Sequence, residues 1–285
     1  MPNETNMTIN KLRGKRVLVT GAASGIGRST AIAFAEAGAE LLICDLDARR
    51  LEPVRDLILV RGATCSTWAV DVSNEEAMSE FARRVHSQGG ALDVLVNNAG
   101  IACLGAFLDS PLDSWRKTLD VNVMGVVFGM RFFLPQMIEA GGARRVVNVA
   151  SLAGVAPAPN MSSYAASKSA VIGLTESLAL ELRLQGAEVG LTTICPGIIN
   201  TPITRNTSHV APSFDRAKLA KLQAYYEANG VSPDVVAEAI VAAVREGREM
   251  VLVGPFAKPL YHLRRLSRSL LHRVLLADAR KAGYC

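Results

Sequence analysis

Short apolar runs alternate with longer segments of helical spacing along this chain, and nothing else in the sequence narrows its fold as much. Seven runs have strand length: Arg16–Thr20, Glu40–Cys44, Cys65–Val70, Leu92–Val96, Arg145–Ala150, Val189–Cys195 and Met250–Val253. They lack the apolar–polar alternation of a strand with one wet face, so both faces of each are expected to be covered. Helices are predicted over Ile26–Ala37, Ala48–Val60, Glu75–Ser87, Leu112–Glu139, Ser162–Gln185 and Ser232–Glu246, with a weaker one over Arg216–Ala228. This order implies an α/β fold, a doubly wound parallel seven-stranded sheet with helices on both faces. The 285 residues, 49% of them hydrophobic, show no internal repeat or low-complexity linker, so one domain over residues 14–255 is expected. Residues 1–13 read as a flexible lead and residues 256–285 as an extension. In such sheets ligands bind beyond the carboxyl ends of the strands, so the residues just after each run matter most.

The net charge of +5 belongs to the extension. Residues 256–285 hold seven Lys/Arg and one acid, Asp278, which leaves 24 basic and 25 acidic residues for the rest. No basic stripe crosses the body, so nucleic acid is not an expected partner. The five cysteines (Cys44, Cys65, Cys103, Cys195 and Cys285) are odd in number and lack CxxC spacing. That argues against a disulfide framework and against a zinc site, and no metal is expected. The N-terminal segment has no apolar leader, and no stretch reaches 18 uninterrupted apolar residues. A spanning helix is therefore not expected, and a reduced cytoplasmic location is.

The first run is followed by Thr20–Gly27 (TGAASGIG), which opens a helix. Gly21, Gly25 and Gly27 permit a tight turn and close backbone approach to a pyrophosphate, with Ser24 and Ile26 between them at the helix start. A plain turn is the competing reading. Asp45 follows the second run, 18 residues beyond Gly27, where a carboxylate can accept from ribose hydroxyls and repel a 2′-phosphate. It could equally be a turn or cap residue, and Arg28, Arg49 and Arg50 are near enough in sequence to keep NADP open beside the favoured NAD. Asp71 and Val72 follow the third run, and Asn98, Ala99 and Gly100 the fourth; either group could line an adenine and ribose groove or form turns. Ser151 closes the fifth run, and Tyr164 and Lys168, four apart, share a helix face.

In that order and spacing, TGAASGIG, Asn97–Gly100 (NNAG), Asn122 within VNVMG, Ser151, Tyr164-x-x-x-Lys168 and Pro196–Thr201 (PGIINT) resemble the short-chain dehydrogenase/reductase family. The resemblance covers residues 14 to about 255 and implies a single Rossmann domain, usually as a homodimer or homotetramer. It implies a catalytic set of Asn122, Ser151, Tyr164 and Lys168 that moves a proton while a nicotinamide moves the hydride. It also implies that Lys168 grips the nicotinamide ribose, that Asn122 holds a relay water, and that Pro196, Gly197, Ile199 and Thr201 help hold the nicotinamide. An ammonium roughly 4 Å from a phenol, at an effective dielectric of about 20, favours phenolate by about 4 kcal/mol. On that footing Lys168 is expected to outweigh burial and bring Tyr164 towards neutrality.

Residues 202–231, with Pro202 and Pro212, are expected to form a lid. Cys103, Ala153, Val155, Met161, Ile203 and Phe214 are candidate pocket residues, mostly apolar, so the expected substrate is a fairly hydrophobic secondary alcohol or ketone. A C=C reductase and a catalytically silent NAD(P)-binding regulator are the rival functions. In the extension, Leu260, Leu263, Leu266, Leu270, Leu271 and Val274 share one face of a basic amphipathic helix. Such a helix could pack on its own subunit or a symmetry mate, rest on an anionic membrane surface, or bind another protein.

Overall fold

The computed structural model describes residues 7–204, 210–211 and 214–282. Pro212 and Cys285 lie outside them. Seven strands, β1 (Arg16–Thr20), β2 (Glu40–Asp45), β3 (Cys65–Ala69), β4 (Val94–Asn97), β5 (Arg144–Val149), β6 (Val189–Pro196) and β7 (Met250–Val253), form one sheet in the order β3-β2-β1-β4-β5-β6-β7. Every pairing is parallel. The chain leaves β1 first towards β2 and later returns to place β4 on its other side. That reversal opens a crevice above the carboxyl ends of β1 and β4.

The strands alternate between two buried faces. Val17 and Val19 point to a core completed by Phe34, Ile58, Ile240 and Val244, from α1 (Gly25–Glu36), α2 (Glu52–Val60) and α8 (Pro233–Glu246). Leu18 points the other way, to Phe81, Val85, Phe133, Val171 and Leu182 from α3 (Glu75–Gly89), α5 (Gly125–Glu139) and α6 (Ser162–Leu184). Local chemistry marks the ends of these helices. The Asn74 side chain accepts from Ala77 N at 2.8 Å to start α3, and Ser232 and Pro233 start α8, which stops at Gly247 with φ 74°.

The expected helix over residues 112–139 is continuous but not uniform. α4 (Leu112–Leu119) passes through a π turn (Asp120–Met124) into α5. By its length (28 residues) and the mean hydropathy of an 18-residue part of it (1.4) this stretch could cross a membrane, against the expectation from uninterrupted runs. Its Val126, Met130, Phe133 and Met137, however, are buried against the sheet. Ala48–Arg50 forms a separate 3-10 turn ahead of α2 instead of its first turn, with Pro53 opening the α-helix proper. In the lead, Ile9 and Leu12 are buried, so residues 7–13 pack on the domain rather than hanging free. Arg145, only 1% exposed, donates from Nη2 to Met7 O (2.8 Å) and from Nη1 to Thr192 Oγ1 (2.8 Å) beneath the sheet.

After α7 (Arg216–Asn229) and β7, the basic extension forms two helices, α9 (Ala257–Leu266) and α10 (Arg268–Ala282). The apolar spacing predicts a single amphipathic helix there. Ser267 breaks it by taking an extended conformation (φ −156°, ψ 110°), and its hydroxyl accepts from Leu270 N at 3.2 Å to start the second. Leu260, Leu263, Leu271 and Leu275 pack on Leu152 and Ala156 of the same subunit.

Candidate active site

The turn after β1 is built for close approach. Gly21 has φ 64°, and a Cβ there would lie 2.7 Å from Ala99 Cα; one at Gly27 would lie 2.2 Å from Gly21 O. Thr20 Oγ1 accepts from both Asn98 N and Ala99 N at 3.0 Å, and Asn98 Nδ2 donates to Thr20 O at 2.9 Å. The two loops that flank the crevice are thereby locked together. Ser24 stands at the N-cap of α1 without capping it, and the first turn carries no acid. The helix N-terminus thus presents its N–H groups and partial positive charge to the cleft, which fits a pyrophosphate. At the end of β2 the Asp45 carboxylate accepts from Ala23 N (3.0 Å) and Leu46 N (2.9 Å), which fixes it in the cleft wall.

On the other side of the crevice, Ser151 follows β5 and starts a short 3-10 turn, accepting from Ala153 N at 3.1 Å. Its hydroxyl also hydrogen-bonds the phenol of Tyr164, in the first turn of α6. One turn on, Lys168 is buried; its Nζ donates to Val149 O at 2.8 Å and lies 5.7 Å from the centre of the Tyr164 ring. Here the electrostatic expectation fails. Enclosure pushes Tyr164 up to about 12, against the Ser151 hydrogen bond, and pushes Lys168 down to about 8. The ammonium, held on the Val149 carbonyl and 5.7 Å from the centre of the phenol ring, does not outweigh desolvation. The protein by itself keeps the phenol protonated.

Asn122 sits in the π turn, fully buried. Its Oδ1 accepts from Ile101 N (2.8 Å), and its Nδ2 donates to Ile101 O (2.9 Å) and Ser167 Oγ (3.0 Å). It thus ties the loop after β4 to the helix that carries Tyr164 and Lys168. A Cβ on Gly100 would come within 3.2 Å of Asn122 Oδ1 and 3.4 Å of Lys168 Nζ, so a glycine there leaves both groups their room.

One cleft of about 790 Å³ gathers Gly21, Ser24, Gly25, Ile26, Asp45, Asp71, Val72, Asn98, Ala99, Gly100, Ser151, Tyr164, Lys168, Pro196, Gly197, Ile199 and Thr201. Gly27 and Asn122 stand behind its wall. Of the candidate pocket residues, Ala153, Met161 and Ile203 line it. Cys103, Val155 and Phe214 do not; all three are buried in packing instead. Within residues 202–231, the segment expected to form a lid, Tyr225 and Tyr226 on α7 line the cleft; unforeseen lining comes from Leu260, Val274, Leu275 and Asp278 in the extension. The helical spacing of the extension is visible in the sequence, but nothing there says that it folds back onto the cleft.

A family model described as short chain dehydrogenase matches residues 15–211. The chain belongs to the short-chain dehydrogenase/reductase family. Among its short-chain dehydrogenase/reductase relatives, the probable oxidoreductase EphD of Mycobacterium tuberculosis is 41% identical over 254 residues. That match takes in 88% of this chain but 43% of EphD, so the chain spans less than half of that relative. The putative oxidoreductase SadH of the same species is 34% identical over 275 residues, covering 96% of this chain and 98% of SadH. A short-chain dehydrogenase/reductase from Burkholderia phymatum, solved in complex with NAD, superposes with a TM-score of 0.85 at 32% identity over 92% of this chain and 96% of that one.

Proposed function

We propose that this protein interconverts a fairly hydrophobic secondary alcohol and its ketone, with NAD(H) favoured over NADP(H). One observation carries the reading: the hydrogen-bonded Ser151–Tyr164 pair and the buried Lys168 line the same cleft as the Gly21–Gly25 turn and Asp45. The uncapped start of α1 would hold the pyrophosphate, Asp45 the adenosine ribose, and Pro196, Gly197, Ile199 and Thr201 the nicotinamide end. A nicotinamide bound there would supply or take up the hydride, and its oxidised ring would add positive charge to that of Lys168 beside the phenol.

Tyr164, protonated over the whole neutral range, is the proton donor to the ketone oxygen. Ser151 steadies that oxygen as negative charge gathers on it. Lys168 stands behind the phenol at the end of β5, and Asn122 keeps its helix against the loop after β4. Asp45 supports NAD because a carboxylate repels a 2′-phosphate; Arg50, also in the cleft, is the residue that would favour one.

The test is absorbance at the NADH band with a panel of ketones. Tyr164→Phe is expected to lower kcat by about 10²- to 10⁴-fold, the usual worth of general acid–base catalysis, while NADH still binds. Equal rates in variant and wild type would remove Tyr164 from the chemistry. The silent-regulator reading predicts NADH binding and no turnover of any carbonyl compound, and a C=C reductase predicts turnover of enones alone.

A further inference from the structure

The extension carries seven cations and one acid, yet what it shows to the cleft is the acid. Beyond β7, Gly254 (φ 84°) and Phe256 (φ 63°) turn the chain back; a left-handed phenylalanine is an uncommon conformation, held here by the docking of α9. Arg264 then donates to Val155 O, and α9 lies against Leu152 and Ala156 beside Ser151. α10 crosses to α7, where Ala279 and Ala282 are buried with Leu222 and Phe214, and Lys221 Nζ donates to Arg280 O at 3.0 Å. Between these anchors the Tyr225 hydroxyl donates to Asp278 Oδ1 at 2.7 Å. Both residues line the cleft, together with Tyr226, Leu260 and Leu275. Arg264, Arg265, Arg268, Arg273, Arg280, Lys258 and Lys281 do not.

Tyr226 lines the same cleft as Tyr164, and its ring lies 6.5 Å from that of Tyr225, so tyrosines line the cleft between the reacting phenol and Asp278. Burial and the Asp278 carboxylate push the Tyr225 phenol up, which keeps it a donor. The pair therefore leaves a carboxylate with acceptor capacity on an otherwise apolar wall.

We infer that α10 is a substrate-selecting wall of this subunit's own cleft, in which Asp278 admits alcohols and ketones whose far end is neutral or donates a hydrogen bond and turns away those ending in a carboxylate or phosphate. The inference rests on the alcohol/ketone reading above. Its rival is that Tyr225–Asp278 merely staples α10 to α7.

Asp278→Asn separates the two, because an asparagine oxygen still accepts from Tyr225 while the charge is gone. The probes are methyl ketones of equal length ending in methyl, hydroxyl or carboxylate, with kcat/KM measured for each and NADH fluorescence reporting an intact cofactor site. The wild type is expected to prefer the first two over the carboxylate, and Asp278→Asn to narrow that gap by about tenfold, as loss of one like charge at a partly solvated site implies. Leu275→Trp, which fills the wall without touching charge, is expected to raise KM for long ketones more than for short ones. An unchanged end-group preference in Asp278→Asn, or a length profile in Leu275→Trp identical to wild type, overturns the role given to α10 while leaving the reaction class in place. A wild type that binds NADH and reduces none of the panel overturns the reaction class, and this inference with it.

Discussion

At the scale of single residues, Tyr164 and Lys168 show what a motif leaves out. Their four-residue spacing places them on one face of α6, and Ser151 meets the phenol. How much each is enclosed decides their protonation, and no spacing rule reports enclosure. With Tyr164 held near 12, the proton-bearing phenol dominates throughout the neutral range. Ketone reduction needs that form and is expected to stay flat with pH until alkaline conditions. Alcohol oxidation needs the phenolate and is expected to rise by about tenfold per pH unit through neutrality, until the nicotinamide-bound complex reaches its own pKa. Initial rates in both directions, from about one pH unit below neutrality to about two above, check this; parallel profiles would contradict it. Asp45 gives a second test at the same scale. It is fixed by two backbone N–H groups and faces the cleft, so Asp45→Asn keeps one acceptor but removes the repulsion. The ratio of kcat/KM with NADPH to that with NADH is expected to climb by about tenfold or more, and an unchanged ratio would assign the preference elsewhere.

At the scale of elements, the strands and the turn after β1 were legible because their signals are local. Buried parallel strands read as unbroken apolar runs, and glycines sit where no Cβ fits. Gly27→Ala would press a methyl to 2.2 Å from Gly21 O. Relief requires α1 to back away from the loop that carries Asn98, with a cost of about 1–3 kcal/mol for such overpacking. The expected outcome is a lower Tm together with weaker NADH binding, read by thermal unfolding and fluorescence titration; a variant with native values for both would show that the contact is slack. The extension was legible only in part. Leu260, Leu263 and Leu271 mark an apolar face, but packing on the same subunit, on a second copy or on a lipid surface all write the same periodicity. The choice among them depends on Gly254 and Phe256 reversing the chain, and on Ala279 and Ala282 finding Leu222, contacts separated by dozens of residues. Cys103, Val155 and Phe214 illustrate the same limit. Each is apolar and close in sequence to the site, and packing turned each away from it.

At the scale of the whole molecule, family membership leads to an expectation of two or four subunits. Large apolar side chains stay exposed on the long helices of one side: Leu119 (37%), Met124 (37%), Leu180 (59%) and Leu184 (89%). Apolar surface of this kind commonly marks a protein–protein contact. Sedimentation velocity is expected to give a dimer or tetramer, and a monomer at micromolar concentration would leave these side chains without a purpose. The π turn at Asp120–Met124 has a further effect on how the molecule tolerates change. It acts as a phase shifter in a 28-residue rod, with Asn122 aimed at the loop before the site and Val126, Met130 and Phe133 aimed at the sheet. Deleting one residue from the turn would rotate everything downstream by about 100°. Either the clamp on Ile101 or the seam against the sheet would then lose its partner, so this stretch of chain cannot drift in length one residue at a time.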